Sequence, residues 1–277
     1  MDAGSSLRSP RAVAIALLLS AAACAGDASP PPADSCSILF GRPAPLTGLT
    51  DAQCRPQCNC GGNVYAPPTY DAAFIQALVD GWRMEIPFPV ITSDPYAAPL
   101  PADDPPDTVC AVLPTGAADA VPRTYRLVTY ASETEARAAG ARPTHFGHCG
   151  VCSTLENLAV YMRVNDLTEP VRACGIANPA LDADVTCLRG LGFDLPCAQI
   201  WAYNTAHTRA ACFAPCISTL NQPYQLPDGT LNACIQCDET QSGAVFKAVA
   251  GRTRRNSGLP NALCRPCSEV RPLVHAY

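Results

Sequence analysis

Seventeen cysteines in 277 residues constrain this chain more than any other feature. Sixteen of them lie between Cys36 and Cys267, and the seventeenth, Cys24, sits just after an apolar run near the N-terminus. In an oxidising compartment such density reads as a disulfide framework, and an even sixteen allows every thiol a partner. Each bridge stabilises by roughly 2–4 kcal/mol, mainly by restricting the unfolded chain. The order of cysteines along a chain does not fix their connectivity.

The first residues supply a route out of the cytosol. Arg8 and Arg11 form a weakly basic start, residues 12–19 an apolar run too short to span a bilayer, and small residues follow. Residues 1–25 are therefore expected to be a signal peptide, with Ala23-Cys24-Ala25 as a small-x-small cleavage site. Alternatively, residues 20–24 are similar to a bacterial lipobox, so that residues 1–23 are removed and Cys24 is acylated. Alanine stands where that pattern prefers leucine. Both readings place the body outside the cytosol, secreted, periplasmic or at the cell surface, the second with a lipid anchor. No later apolar run reaches the length of a membrane span, so none is expected once the signal is gone. The formal net charge of −5 gives no general attraction to nucleic acid, and Lys247 is the only lysine among the basic residues.

The pattern that follows predicts an α+β fold. Residues 26–62 read as a spacer and a Cys-rich loop region. Over 63–148, Asp71 caps a helix with Phe74, Ile75, Leu78, Val79 and Trp82 on one stripe. Prolines keep residues 83–107 irregular, with Asp94, Asp103, Asp104 and Asp107 in a solvated loop. Strands at 109–113, 125–130 and 142–146, with a helix at 133–139 opened by the capping box Ser132-x-x-Glu135, form a small βαβ-like unit. Residues 149–277 read as a disulfide-stapled, mainly helical half packed on it. There a second capping box, Ser153-x-x-Glu156, opens a helix, and Asp238 to Gln241 cap the last one.

Two places could carry chemistry. Cys149-Gly150-Val151-Cys152 looks, over four residues, like the dithiol of thioredoxin-type oxidoreductases. A helix N-terminus there would stabilise a thiolate. Against it, the capping box starts the helix only at Ser153, and fourteen further exported cysteines make structural pairing the default. His145 and His148, three residues apart, offer acid–base groups or metal ligands. Two later Cys-x-x-Cys units, Cys234/Cys237 and Cys264/Cys267, resemble a four-thiolate zinc ribbon, but after export disulfides take precedence, so no metal and no cofactor are expected. The second place is the loop at 251–260. Its residues Arg252, Arg254, Arg255 and Asn256 form a candidate site for a carboxylate, phosphate or sulfate, because guanidinium forks bind such groups in bidentate fashion.

The sequence thus describes an exported, disulfide-rich globular protein of unspecified function, expected to bind a ligand or a surface with the arginine loop attracting an anionic small molecule or glycan, and not nucleic acid. The alternatives are a secreted enzyme with His145, His148 and residues 252–256 in one site, or a thiol oxidoreductase using Cys149 and Cys152.

Overall fold

A computed structural model describes Met1 and residues 36–277; the export signal, the spacer before Cys36 and Cys24 lie outside the described residues. The chain opens with short paired strands, β1 (Leu39–Phe40) parallel to β2 (Cys54–Arg55), and the hairpin of β3 (Cys58–Cys60) with β4 (Asn63–Tyr65). Helix α1 (Ala72–Asp80) starts where Asp71 accepts the Phe74 amide at 2.7 Å and stops at Gly81, burying Ile75 and Leu78. Trp82, expected on the helical stripe, instead begins β5 (Trp82–Met84).

The main sheet is built from β5, β6 (Val109–Pro114), β7 (Arg123–Tyr130) and β8 (Arg142–Phe146), in the order β5-β7-β6-β8. Both β7 and β8 run antiparallel to β6, so they are parallel to each other with β6 between them. Helix α2 (Glu133–Ala138) joins them, which makes the expected unit a split βαβ. Its cap is as predicted at Ser132, whose hydroxyl accepts the Glu135 amide at 3.2 Å. Glu135 reaches back to the amide of Ala131 rather than that of Ser132. Strand β6 is apolar and wholly buried from Val109 to Val112, as a central strand covered on both faces must be.

Seven helices follow. They are α3 (Leu155–Arg163), α4 (Thr168–Ala177), α5 (Leu181–Gly190), α6 (Leu195–Ala211), α7 (Phe213–Ser218), α8 (Ala233–Gln241) and α9 (Gly243–Ala250). Helix α6 is the axis of this half and touches α4, α5, α7, α8 and α9. Its buried residues, Ala198, Ile200 and Ala202, join Leu155, Leu158 and Leu188 in one apolar core that extends to Tyr125 and Val112 of the sheet. Where α3 and α6 begin side by side, Asp194 receives Asn157 Nδ2 at 2.8 Å and the Cys197 amide at 3.0 Å, and Asn157 Oδ1 accepts the Asp194 amide. One carboxylate thereby serves two helix N-termini.

All sixteen cysteines from Cys36 onward form eight disulfides. Cys36–Cys60 lies within the N-terminal region, while Cys54–Cys264 and Cys58–Cys267 tie that region to the C-terminal segment. Cys152–Cys197 clamps the α3 and α6 starts, Cys174–Cys187 joins α4 to α5, and Cys212–Cys237 with Cys216–Cys234 fastens α7 to α8.

Three local expectations are corrected. The cap of α3 is Thr154, whose hydroxyl accepts the Asn157 amide, because the Ser153 side chain is turned to another partner. Residues 238–241 lie inside α8, which is capped by Asn232. Asp238 is drawn inward by Thr208 and by Asn204 Nδ2 at 3.2 Å. The proline-rich segment is not merely a solvated loop. Gln199 pins the Ile91 backbone through both its amide atoms, Tyr96 stacks on His207 at 4.3 Å, and Asp104 meets His148.

Candidate functional site

Strand β8, the turn at 147–153 and the loop at 251–257 meet in one place. The contact begins with backbone, as the amides of Val151 and Cys152 donate to Val249 and Ala250 at 3.0 and 2.9 Å. Gly150 and Gly251 make that approach feasible. A Cβ on Gly150 would stand 2.4 Å from the Val249 carbonyl oxygen, and one on Gly251 would stand 2.4 Å from the Gly150 nitrogen. Gly251 also has φ of +72°, a conformation open mainly to glycine.

Arg252 enters the space this approach leaves and has no accessible surface. Its Nε donates to Cys152 O at 3.1 Å, Nη1 to Thr144 O at 2.8 Å, and Nη2 to Thr144 Oγ1 at 2.6 Å and Ser153 O at 2.9 Å. Burial pulls its pKa down to about 10, against opposing pulls from Tyr277, Tyr161 and Tyr125, so it stays charged at neutral pH. Among the described residues no carboxylate pairs with it; its partners are carbonyls and one hydroxyl. Arg254 is nearly as buried, donating to Pro260 O at 3.0 Å and to Val164 O, with its guanidinium over the Tyr161 ring. Arg255 is bound by Glu239 at 2.7 Å and Glu269 at 3.2 Å. Asn256 donates to Phe146 O at 2.7 Å and Gly251 O at 2.8 Å and accepts the Thr253 amide. Arg252 and Asn256 hold the loop against β8, while Arg254 and Arg255 are taken up by backbone carbonyls and glutamates elsewhere.

His145 and His148 part company although they are three residues apart. His145 is fully buried. Its Nδ1 lies 3.0 Å from Phe146 O, which can only accept, so Nδ1 carries the proton and Nε2 accepts the Ser153 hydroxyl at 2.6 Å. Burial, together with the Arg252 charge, holds this ring well below the ordinary histidine pKa and therefore neutral. A serine hydroxyl on an imidazole nitrogen is the hydrogen bond a nucleophile needs, but His145, Ser153 and Arg252 are all sealed from solvent. The strand and the loop do converge, as an enzyme with His145 and Arg254 requires, and they do so in solid core. His148 sits at the edge of this core, with Nδ1 2.7 Å from Asp104 Oδ2 and Nε2 2.7 Å from Ala248 O. Burial pushes the Asp104 carboxyl up, and the His148 amide and ring with Lys247 more than reverse this, leaving it below its ordinary value.

Cys149 and Cys152 do not form a dithiol pair. Cys149 is bonded to Cys110 of β6 and Cys152 to Cys197 of α6. The later pairs are divided in the same way, Cys234 and Cys237 going to α7 and its cap, and Cys264 and Cys267 to the N-terminal strands. Among the described residues no group of three His, Cys, Asp or Glu side chains converges as a metal site would need, and no helix is long and apolar enough to cross a membrane.

Sequence reasoning missed Ser153 and Asp104 as organisers of this region. Asp194 stood before an apolar helix and was legible as a cap, whereas Asp104 and Ser153 gave no signal, because their partners lie far off in sequence or were claimed by a capping pattern. Nor did the sequence reveal a cleft beside residues 274–277. There Phe74, Arg137, Arg142, Pro143, Val274 and Tyr277 border a cleft of about 520 Å³.

Residues 181–272, from α5 through the arginine loop to the cysteines that bridge back to the N-terminal strands, match a family of unknown function (DUF8771). No curated protein and no solved structure matches the chain.

Proposed function

We propose that this disulfide-rich globular protein is exported and acts outside the cytosol as a binding module rather than through cysteine, histidine or metal chemistry. The carrying observation is that every cysteine from Cys36 to Cys267 is bound in one of eight disulfides. Such a network forms and persists in oxidising compartments. The internal engagement of His145, Cys149, Cys152 and Arg252 supports the second half of the reading, since none of these groups is offered to a substrate. The sixteen described cysteines pair among themselves, and Cys24 is the one the export readings concern. Both export readings account for it, the first by cleavage near it and the second by acylation.

The test is to fractionate cells producing the protein and to weigh the intact product. The expected result is material outside the cytoplasmic membrane that either begins after Ala25 or begins at Cys24 with the added mass of acyl chains. Product retained in the cytoplasm with Met1 in place would overturn the reading.

A further inference from the structure

The cleft beside residues 274–277 joins apolar and cationic side chains. Helix α1 supplies Phe74, whose ring stacks on Tyr70 at 5.1 Å; β8 supplies Arg142 and Pro143; and the C-terminal segment supplies Val274, 54% exposed, and Tyr277. Its volume, about 520 Å³, is in the range of sites for small molecules. The apolar side is thus aromatic and aliphatic, and Val274 is a large apolar side chain left in solvent.

The polar side is cationic. Arg142 makes a single long hydrogen bond, from Nη1 to Ala276 O at 3.4 Å, so most of its fork remains available. Arg137 meets Glu133 through Nε and Nη2, both on the same carboxylate oxygen, and among the described residues Glu133 is the only acid bonded to either arginine. His275 contacts the Tyr277 hydroxyl at 3.0 Å and Ser257 O at 3.0 Å, and burial, assisted by the Arg252 charge, pulls its pKa down to about 3. Tyr277 feels the same guanidinium, and its pKa is pushed up to about 12 by burial. Arg252 thus stands behind the floor as a buried cation without a carboxylate. Its field acts through protein rather than water and is only weakly screened.

We propose that this cleft binds a small organic anion, a carboxylate or sulfate carried on an aromatic or aliphatic body. The charged head would lie on the free donors of Arg142 and Arg137, and the body against Phe74, Pro143 and Val274. Bidentate hydrogen bonds from an arginine fork suit both kinds of head, and the apolar wall distinguishes such a ligand from a bare ion. This deepens the binding reading above by naming a site and a ligand class. Its test reads affinity on the purified, oxidised protein and does not depend on where the cell places it.

The experiment is isothermal titration with phenylacetate and phenyl sulfate, set against benzyl alcohol, inorganic sulfate and glucuronate. Both aromatic anions are expected to bind, and each of the three controls to bind at least about tenfold more weakly, because each lacks the charge or the apolar body. Arg142→Gln is expected to weaken phenyl sulfate by about tenfold or more, and Arg137→Gln by less, since Glu133 already occupies part of its fork. Both sites are at the surface, so the variants should keep the wild-type circular dichroism spectrum. Absence of binding by both aromatic anions, equal binding of benzyl alcohol, a preference for glucuronate, or undiminished affinity in a folded Arg142→Gln protein would each overturn the assignment.

Discussion

At the scale of single residues, Arg252 and Arg255 show how little a sequence says about what an arginine does. They stand three positions apart in the same glycine-flanked loop. Arg252 is sealed in the core on neutral acceptors, while Arg255 is partly exposed between two glutamates. Removing a buried charge that makes four hydrogen bonds leaves several carbonyls desolvated without donors, at a cost of about 3–5 kcal/mol, whereas an exposed ion pair contributes about 0–1 kcal/mol. Arg252→Met should therefore lower the denaturant midpoint steeply under non-reducing conditions, and Arg255→Gln should hardly change it. Similar losses in the two variants would contradict this account of the loop. The count of arginines and the flanking glycines were legible; the inward turn was not, because it depends on the gap that Gly150 and Gly251 open between two distant backbones.

The histidines at this scale give the protein a pH dependence whose sign is fixed. His275 has a folded pKa of about 3 against an ordinary 6.5, and His145 is held well below its ordinary value, in both cases chiefly by burial. Below pH 6.5 the unfolded chain takes up protons that the folded chain refuses. Each ring therefore lowers stability as the pH falls below 6.5, and for His275 the loss continues down to about pH 3. Urea unfolding at pH 7 and pH 5 should show the loss, and the His275 ring should show no titration by NMR between pH 8 and 4. A ring that titrates near its ordinary value would contradict the burial argument.

At the scale of elements, caps were the most readable feature and also the source of the errors. Asp71, Ser132 and Asp194 each accept the amide three residues on, the first two as their positions before an apolar helix suggested. The pattern failed at Ser153 and at Asp238, where a polar side chain found a tertiary partner stronger than its own helix start: His145 for the serine, Thr208 and Asn204 for the aspartate. Sheet order was equally hidden, since local pattern shows three strands and a helix but not that β6 lies between β7 and β8. Disulfide pairing belongs to this scale too, and here the bridges act in sets. Cys54–Cys264 and Cys58–Cys267 span 210 and 209 residues and close nearly the same loop, so either one alone keeps that loop shut. Converting one pair to alanine should cost about 2–3 kcal/mol, the entropy of the small ring that remains. Converting both should cost about 8 kcal/mol, well beyond twice the single value. Additive losses in a double-variant cycle would show that the two bridges act independently.

At the scale of the whole molecule, the covalent network accounts for a body that its helices could not sustain by propensity. Several are under three turns long, α7 and α8 bury little apolar surface, and both are fastened by two bridges between them. The framework was legible from the number of cysteines, but its wiring was not, because chain order carries no information on which sulfurs meet. The apolar cleft at the last turn was also illegible, as it joins α1, α2, β8 and the C-terminal segment from four separate places in the sequence. One measurement reaches the centre of this account. Protein taken from its native location is unfolded without reductant in the presence of a thiol-alkylating reagent, and its mass is then compared before and after reduction. The account predicts no alkylated cysteine between Cys36 and Cys267 before reduction and sixteen afterwards. A native protein that takes up label at several of these positions before reduction would contradict it.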